Sequence, residues 1–312
     1  MDFSRLKTVP TAEELMDRSL RRAAKKMRLK RNRKRADEEF IRAISSALHD
    51  RLVAIIQDLP EVDGLLPFYR EMTEILIGRD RFKKSLGAVG WAAWQIRLIG
   101  SELARRARGA EDTGPVRRQA VARISSIVHQ VNDALRFLNE ARNQLRSLPD
   151  IREEFTVVVA GYPNVGKSSF IRRVSTAEPE VAEYPFTTKG IIMGHRKIGR
   201  ESVQLIDTPG ILSRPAEERN WIERQALAAL LNVADIVLLI LDPSETCGYT
   251  FDDQLRLKRE LEGALQTPLV TVVNKADIKA LEGYPNMSTS TGEGVEGVLS
   301  LLLRCRASPT SP

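Results

Sequence analysis

The chain has 312 residues, a net charge of +7 and a hydrophobic content of 42%, which suits about two globular domains with buried cores. Its two cysteines, Cys247 and Cys305, lie far apart without metal-site spacing, which indicates a reducing compartment and buried thiols and not a disulfide framework. The first residues, MDFSRLKTVP, lack the apolar segment of a signal peptide, and no apolar run is long enough to span a bilayer, so we expect a soluble cytoplasmic protein.

Charge is unevenly divided along the chain. Residues 1–150 hold 30 lysines and arginines against 20 aspartates and glutamates, a net +10, whereas residues 151–312 hold 18 against 21, a net −3. A field of one sign attracts partners of the other sign over distances longer than a direct contact. The first half is therefore expected to meet a polyanion.

The first half has the apolar spacing of packed helices. One stripe consists of Phe40, Ile44, Leu48, Leu52, Ile56 and Leu59, and a second consists of Val121, Ile124, Val128, Val131, Leu135 and Leu138. Steps of three and four residues place such side chains on one helix face. We predict an all-α bundle over residues 1–150, with Trp91 and Trp94 in its core and a helix that begins near Thr113 and Pro115.

The stretch RSLRRAAKKMRLKRNRKR, residues 18–35, has 11 basic residues and no acidic one. A solvated helix face usually mixes both signs, and without partners inside the stretch an external anion is favoured. An acidic membrane is disfavoured because Leu20, Met27 and Leu29 form only a thin apolar face. The basic side chains predicted to bind RNA are Arg21, Arg22, Lys25, Lys26, Arg28, Lys30, Arg31, Arg33, Lys34 and Arg35.

The helical pattern ends near Pro149, and a phosphate-binding loop follows. The β-rich run Phe155–Ala160 precedes GYPNVGKSS, and a helix is expected over Ser169–Val174. In this strand-loop-helix setting, backbone N–H groups surround phosphate oxygens, Lys167 reaches the β- and γ-phosphates, and the Ser168 hydroxyl binds Mg2+. A chance glycine-rich turn is the alternative. The predicted loop residues are Gly161, Tyr162, Pro163, Asn164, Val165, Gly166, Lys167, Ser168 and Ser169.

Two further motifs complete the phosphate side. In DTPG, Asp207 is expected to organise Mg2+ through water, and the Gly210 N–H to lie near the γ-phosphate. YPFTTK lies between the two motifs, where a mobile segment must bring a hydroxyl to Mg2+. Thr188 is the first candidate and Thr187 the second.

NKAD supplies the base-recognition loop. The Asp277 carboxylate can accept the hydrogen bonds that guanine N1–H and its amino group donate, which selects GTP over ATP. Asn274 is expected to brace the loop, and the Lys275 stem to lie across the base. In MSTSTGEG, the backbone N–H groups near Ser288, Thr289 and Ser290 are expected to face the guanine carbonyl.

Apolar runs in SVQLIDTPG, ADIVLLILD and PLVTVVNKAD alternate with helical stretches, as in a parallel sheet covered on both faces. The fold class predicted for residues 151–306 is an α/β P-loop GTPase domain with a mostly parallel six-stranded sheet. Residues 307–312 are expected to form a flexible tail.

The motifs GYPNVGKSS, YPFTT, DTPG and NKAD, in this order, resemble those of the translation-associated GTPases related to Obg and Era. With a basic helical domain ahead of them, the chain resembles the Nog (nucleolar GTP-binding protein 1) family. Eukaryotic members carry a long C-terminal extension, whereas this sequence stops just after the G domain, so the resemblance is expected to be to the shorter archaeal forms. The resemblance implies a GTPase for large ribosomal subunit assembly that binds GTP or GDP with Mg2+. Its implied partners are rRNA, the large subunit or its precursor, and ribosomal proteins.

One position departs from the Ras-like pattern. Ile211 follows DTPG where a water-positioning glutamine would stand, and isoleucine cannot orient water. Asn164 matches an asparagine that holds potassium in similar GTPases, so the hypothesis is that K+ at Asn164 stabilises the transition state of a slow reaction. The expected catalytic set is then Lys167, Thr188, Gly210 and Asn164. A GTP-gated protein-binding scaffold with incidental hydrolysis remains the alternative, ahead of a membrane-associated G protein.

Overall fold

The computed structural model describes residues 3–29, 32–182, 184, 190–199, 201–208 and 221–307. By its contacts the chain divides into two compact units. The helical unit comprises Phe3–Leu65 and Leu76–Arg146, and the sheet unit comprises Leu66–Ile75 with the described residues of Ser147–Pro312. The last passage of the chain between the units, at Arg146 and Ser147, lies near the predicted boundary, but residues 66–75, placed in the helical domain from sequence, pack in the sheet unit. The predicted domain limits therefore stay a prediction.

The first half of the chain is helical, as predicted. Its helices are α1 (Ala12–Arg28), α2 (Arg33–Asp58), α3 (Pro67–Leu76), α4 (Arg79–Gly109), α5 (Gly114–Gln130) and α6 (Asn132–Arg146), with short 3-10 turns at Phe3–Arg5 and Val62–Gly64. Helix α1 begins with a capping box, because the Glu14 N–H donates to the Thr11 hydroxyl while the Thr11 N–H donates to the Glu14 carboxylate. Thr113 precedes α5 as predicted, but its hydroxyl donates to Asp37 at 2.5 Å and does not cap the helix.

Both apolar stripes lie largely in the core of the helical unit. The buried members are Phe40, Ile44, Leu48, Leu52, Leu59, Ile124, Val128, Val131, Leu135 and Leu138. Ile56 and Val121 are only partly buried, and the neighbouring Ile55 is buried in place of Ile56. The helical period thus located the core to within one residue.

The prediction that Trp91 and Trp94 belong to this core was wrong. Their exposed fractions are 44% and 56%. Helix α4 turns small and aliphatic residues towards the core, including Ala93 and Ile96, and it approaches α2 so closely that a Cβ on Gly100 would collide with Ser45. A contact this close has no room for an indole, so the tryptophans lie on the opposite face of the helix.

The sheet unit contains the predicted six strands. They are β1 (Phe155–Ala160), β2 (Glu180–Ala182), β3 (Ile191–Ile198), β4 (Glu201–Asp207), β5 (Ile236–Leu241) and β6 (Leu269–Val273), in the spatial order β2-β3-β4-β1-β5-β6. Strand β1 runs parallel to β4 and β5, β5 runs parallel to β6, and the β2–β3 and β3–β4 pairs are antiparallel. The mostly parallel sheet is therefore confirmed.

The remaining helices are α7 (Lys167–Val174), α8 (Trp221–Leu231), α9 (Phe251–Ala264) and α10 (Val295–Ala307). Strands β1, β4, β5 and β6 end at the same edge of the sheet because they are parallel. Each of the three motifs GYPNVGKSS, DTPG and NKAD begins where one of these strands ends, which brings functional groups from distant parts of the sequence to one edge of the sheet.

Both cysteines are free thiols, and of the two only Cys247 is buried. Within the described ranges, no helix has both the length and the apolar character needed to cross a membrane.

Candidate nucleotide-binding site

The phosphate loop depends on backbone conformations and close approaches that exclude most side chains. Gly161, directly after β1, has φ of 139°, and a Cβ there would lie 2.6 Å from the Ile240 carbonyl oxygen. Gly166 has φ of 103°, and its Cβ would collide with the Asn274 side chain. Asn164 adopts φ of 62°, a conformation that asparagine tolerates better than most residues. The two glycines therefore let the loop lie directly against β5 and against the NKAD segment.

Asn274 joins three segments. Its buried side-chain amide donates to the Val165 carbonyl at 2.7 Å and to the Thr289 hydroxyl at 3.0 Å. Its amide oxygen accepts from the Thr289 N–H at 2.9 Å. The Asn274 side chain thus connects the phosphate loop, which contains Val165, to NKAD and MSTSTGEG, the two loops predicted from sequence to bind the guanine base.

Lys167, Ser168 and Asp207 converge at the start of α7. The Ser168 hydroxyl donates to Asp207 Oδ2 at 2.7 Å, and Lys167 Nζ donates to the Tyr162 carbonyl at 2.9 Å and lies 3.9 Å from Asp207 Oδ1. Burial lowers the pKa of Lys167, partly offset by Asp207, and burial raises the pKa of Asp207, partly offset by Lys167 and Ser168. Both shifts show that these charges are poorly solvated, so a ligand charge placed here would interact strongly with them.

Two buried oxygens in this cluster lack hydrogen-bond partners among the described residues, namely Asp207 Oδ1 and Thr208 Oγ1. Buried polar atoms are usually satisfied, and exceptions often mark the place of a ligand or an ion. Carboxylate and hydroxyl oxygens are the ligands that Mg2+ prefers. Ser168 and Asp207 therefore suit a Mg2+ site next to the phosphate loop.

On the base side, Asp277 is exposed and its carboxylate accepts from the Ser290 hydroxyl at 3.3 Å. Hydrogen bonding from Ser288, and then from Ser290, lowers the pKa of Asp277, so the carboxylate is ionised and can accept hydrogen bonds. The N–H groups of Ser288 and Thr289 already donate to Glu293 and Asn274. Of the three N–H groups assigned from sequence, only that of Ser290 has no partner among the described residues.

Lys275 is held by an aspartate that the sequence analysis did not identify. Its Nζ donates to Asp242 Oδ2 at 2.7 Å and to the Thr246 hydroxyl at 2.8 Å. Asp242 is completely buried at the end of β5 and also accepts from the Cys247 N–H at 2.9 Å. Burial raises the pKa of Asp242, but hydrogen bonds from Lys275 and Ser244 outweigh this and hold it below its usual value. The signal in the sequence was an acidic residue directly after the apolar run ADIVLLIL.

The loop after β5 also covers the phosphate loop. The rings of Tyr162 and Tyr249 pack with centroids 4.4 Å apart at an angle of 37°. Gln254 on α9 fixes this loop, since its amide donates to the carbonyls of Asp242 at 2.9 Å and Tyr249 at 3.2 Å. Neither Tyr249 nor Gln254 was singled out from sequence, because no motif marks them.

Several candidate residues fall outside the description. Thr187, Thr188, Gly210, Ile211, Lys30 and Arg31 lie outside the described residues, as do the side chains of Arg33 and Lys34. Tyr184, the first residue of YPFTTK, is described and buried, and its hydroxyl donates to the Ala226 carbonyl on α8 at 2.6 Å. Burial and this hydrogen bond therefore hold Tyr184 in place.

Two basic side chains of the stretch have acidic partners just outside it. Arg21 pairs with Asp17 at 2.6 Å one turn earlier in α1, and Lys26 lies 4.0 Å from Glu39 on α2. The expectation of no intrinsic partners was wrong for these two, because Asp17 precedes the stretch and Glu39 belongs to the next helix. The exposed side chains of the stretch without an ion pair among the described residues are Arg18, Arg22, Lys25, Arg28 and Arg35.

Comparisons with known proteins show which families the two parts of the sequence resemble. Residues 3–152 match the model of the NOG1 N-terminal helical domain, and residues 156–275 match that of a 50S ribosome-binding GTPase. An uncharacterised protein of Methanocaldococcus jannaschii is 41% identical over 88% of this chain and 81% of its own length. Nucleolar GTP-binding protein 1 of Encephalitozoon cuniculi is 34% identical over 90% of this chain but only 56% of its own length. A Plasmodium falciparum crystal structure described as nucleolar GTP-binding protein 1 is 32% identical, covers 51% of this chain and 89% of its own, and has a TM-score of 0.45.

Proposed function

Because the chain belongs to the Nog (nucleolar GTP-binding protein 1) family of GTPases, we propose that it is a slow GTP-hydrolysing switch that acts in large ribosomal subunit assembly. In this proposal the basic helical unit contacts rRNA of the subunit or its precursor, in the cytoplasm, with ribosomal proteins as further partners. The observation that carries the nucleotide part is the bridge from Asn274 to Val165 and Thr289, since it places the phosphate loop beside the base-recognition loops.

The phosphate part follows from groups that already converge. Backbone N–H groups of the loop at 161–166 and the N-terminal end of α7 attract phosphate oxygens. Lys167 Nζ, held now by the Tyr162 carbonyl, would exchange that neutral acceptor for charged oxygens of the β- and γ-phosphates. Ser168 and Asp207 would hold Mg2+, which when bound neutralises phosphate charge. Thr188 and the Gly210 N–H are proposed to complete the shell around the γ-phosphate.

Base selection follows from Asp277. Its ionised carboxylate is exposed and fixed by serine hydroxyls, so it can accept the two hydrogen bonds that guanine donates. Adenine presents neither donor in the same arrangement and would leave the carboxylate unpaired. The Ser290 N–H is the backbone donor best placed for the guanine carbonyl, because the N–H groups of Ser288 and Thr289 are engaged elsewhere.

For hydrolysis we propose potassium assistance, because Ile211 cannot orient water. Asn164 is exposed in the phosphate loop, so its side-chain oxygen is accessible for a cation. Single-turnover GTP hydrolysis should be faster in potassium than in sodium at equal ionic strength. Asn164→Gly should remove that difference while nucleotide affinity is retained, because glycine accepts the positive φ of this position. Asn232→Ala, at an exposed asparagine after α8 and outside the predicted nucleotide site, is the matched control. Equal rates in the two salts for the wild type would discard potassium assistance.

The ribosomal part is tested with isolated large subunits. The chain with a non-hydrolysable GTP analogue should cosediment with them, and with GDP it should dissociate, because the nucleotide state is proposed to control the grip of the helical unit. Added subunits should also accelerate turnover. Cosedimentation that is the same in both nucleotide states would contradict the switch, whereas cosedimentation that depends on GTP, with turnover unchanged by subunits, would favour the GTP-gated protein-binding scaffold.

A further inference from the structure

Helix α4 carries an exposed aromatic strip, which we define as Trp91, Trp94 and Leu98. Their exposed fractions are 44%, 56% and 46%. The steps of three and four residues place all three side chains on one face of the helix, opposite the buried Ala93 and Ile96. Neither indole stacks on another ring or on a cation within the described part of the chain. Two tryptophans side by side expose a contiguous apolar area to water, and such areas mark surfaces that bind a ligand or a partner molecule.

Cations lie at both ends of the strip on the same face. Lys84 precedes Trp91 by seven residues and Arg105 follows Leu98 by seven, so each lies about 10 Å from the strip along the helix. Both are exposed, and neither forms an ion pair with a described residue. Glu102, which is also exposed, lies on this face four residues after Leu98, so over about 31 Å the face carries Lys84, the aromatic strip, one carboxylate and Arg105.

A groove next to Leu98 extends the positive charge sideways. Its volume is about 610 Å3, and its lining residues are Arg42, Leu98, Ser101, Glu102, Arg105 and Arg108. Arg42 and Arg108 both pair with Glu38 on α2, at 3.0 and 2.6 Å. The described lining has three arginines and one acidic residue, Glu102, and Glu38 pairs with two of the arginines, so the groove favours an anion at its Arg105 side.

We propose that the aromatic strip of α4 binds unpaired bases of single-stranded RNA, while Lys84, Arg105 and the adjoining groove contact the flanking phosphates. This inference rests on the proposed contact of the helical unit with RNA and assigns it a second surface besides the basic stretch of α1. Exposed aromatics interleaved with cations are the arrangement that stacks bases without sequence readout. A duplex hides its base faces, and three apolar side chains are too few to anchor a membrane.

The test uses the full chain and a fluorescein-labelled 12-nucleotide oligouridine, with anisotropy as the affinity readout and tryptophan quenching as evidence of stacking. The double variant W91L/W94L keeps the face apolar but removes both indoles, and W91F/W94F keeps an aromatic ring. Leucine should weaken binding on the order of tenfold per indole, and phenylalanine should retain most of the affinity. Trp221→Leu on α8, an equally exposed tryptophan of the sheet unit, is the matched control and should bind as the wild type does.

The cations give an independent readout. K84A/R105A should reduce the slope of log affinity against log salt by about 1.4, since each phosphate contact to a single strand contributes about 0.7. GTP turnover, circular dichroism and melting temperature should stay unchanged in all these variants, because every altered side chain is exposed.

The outcomes separate this inference from the proposed function. If the wild type binds the oligonucleotide and W91L/W94L binds it equally well, the inference is overturned while RNA binding through α1 stands. If the wild type binds neither the oligonucleotide nor large-subunit RNA, the proposed RNA contact fails too. If W91L/W94L keeps RNA affinity but loses a purified ribosomal protein, the strip is a protein-binding surface and the inference is likewise overturned.

Discussion

The two units of the molecule hold their candidate functional groups in opposite ways. In the sheet unit, Asn274 and Asp242 are fully buried, and hydrogen bonds tie them to Val165, Thr289 and Lys275. In the helical unit, the corresponding groups are exposed tryptophans and cations. A buried, connected site is preorganised, so one substitution disturbs several contacts. An exposed surface acts through many weak, salt-sensitive contacts. Large effects of single substitutions are therefore expected at the charged groups of the nucleotide site in the sheet unit, and small, additive ones at the single exposed cations of the helical unit.

The largest effect is expected at Lys167. Lys167→Ala removes the side-chain cation that bonds to the phosphate loop at the Tyr162 carbonyl, and because charged hydrogen bonds contribute about 1.5–3 kcal/mol each, GTP affinity should fall about 100-fold or more. Calorimetric titration with GTP measures it. Lys197→Ala, at an exposed lysine of β3, is the control and should bind normally. Wild-type affinity in Lys167→Ala would remove this residue from the site.

The next effect is a change of base preference. In Asp277→Asn an amide replaces the carboxylate that accepts two hydrogen bonds, so GTP affinity should fall about 10- to 100-fold. Xanthosine triphosphate presents a carbonyl where guanine has its amino group, so the variant amide can donate to it and its affinity should rise. Competition binding of the two nucleotides checks the exchange. A parallel loss for both nucleotides would show that Asp277 only maintains the loop.

A smaller effect is expected at Asp242. Asp242→Asn keeps the shape but removes the ionic partner of Lys275, so the lysine stem is less well positioned and guanine nucleotide affinity should fall about fivefold. Nucleotide affinity and urea unfolding, measured together, separate positioning from general loss of stability. Asp252→Asn, at an exposed aspartate of α9, is the matched control. Unchanged affinity in Asp242→Asn would show that the ion pair does not position Lys275 for binding.

The smallest effect is expected on the helical unit. Arg22→Ala removes one exposed cation that has no ion pair among the described residues, so RNA affinity should fall only about two- to fivefold, with a salt slope shallower by about 0.7–0.9. Filter binding at several salt concentrations measures both quantities, and GTP affinity should not change. If this one substitution abolished RNA binding, the helical unit too would hold a preorganised site, and the contrast between the units would be lost.

The sequence predicted the sheet unit in greater detail, for a physical reason. Buried parallel strands are continuous apolar runs, and the loops at their carboxyl ends must meet at one edge, so Lys167, Asp207 and Asn274 could be placed together from motif order alone. The hydrogen bonds of Asp242 and the packing of Tyr249 on Tyr162 could not be predicted from the sequence, because they depend on the path of a loop that has no motif.

In the helical unit, the three- and four-residue spacing of apolar residues predicted which side chains share a helix face. It did not predict whether another helix packs against that face. Trp91 and Trp94 fit a helical stripe as well as any core residue, and only the close approach of α2 and α4 at Gly100 and Ser45 excludes them from the core. The pairs of Arg21 with Asp17 and of Lys26 with Glu39 were missed for a related reason, since one acidic residue lies just before the basic stretch and the other on the following helix.

The most direct test of the account is a calorimetric comparison of GTP, GDP and ATP binding to the full chain, with and without Mg2+. Convergence of Lys167, Ser168 and Asp207 at the phosphate loop, and of Asp277 at the base loop, predicts one site per chain that binds guanine nucleotides, with ATP weaker by at least about 100-fold and GTP strengthened by Mg2+. No heat with either guanine nucleotide, or equal affinity for ATP, would contradict it.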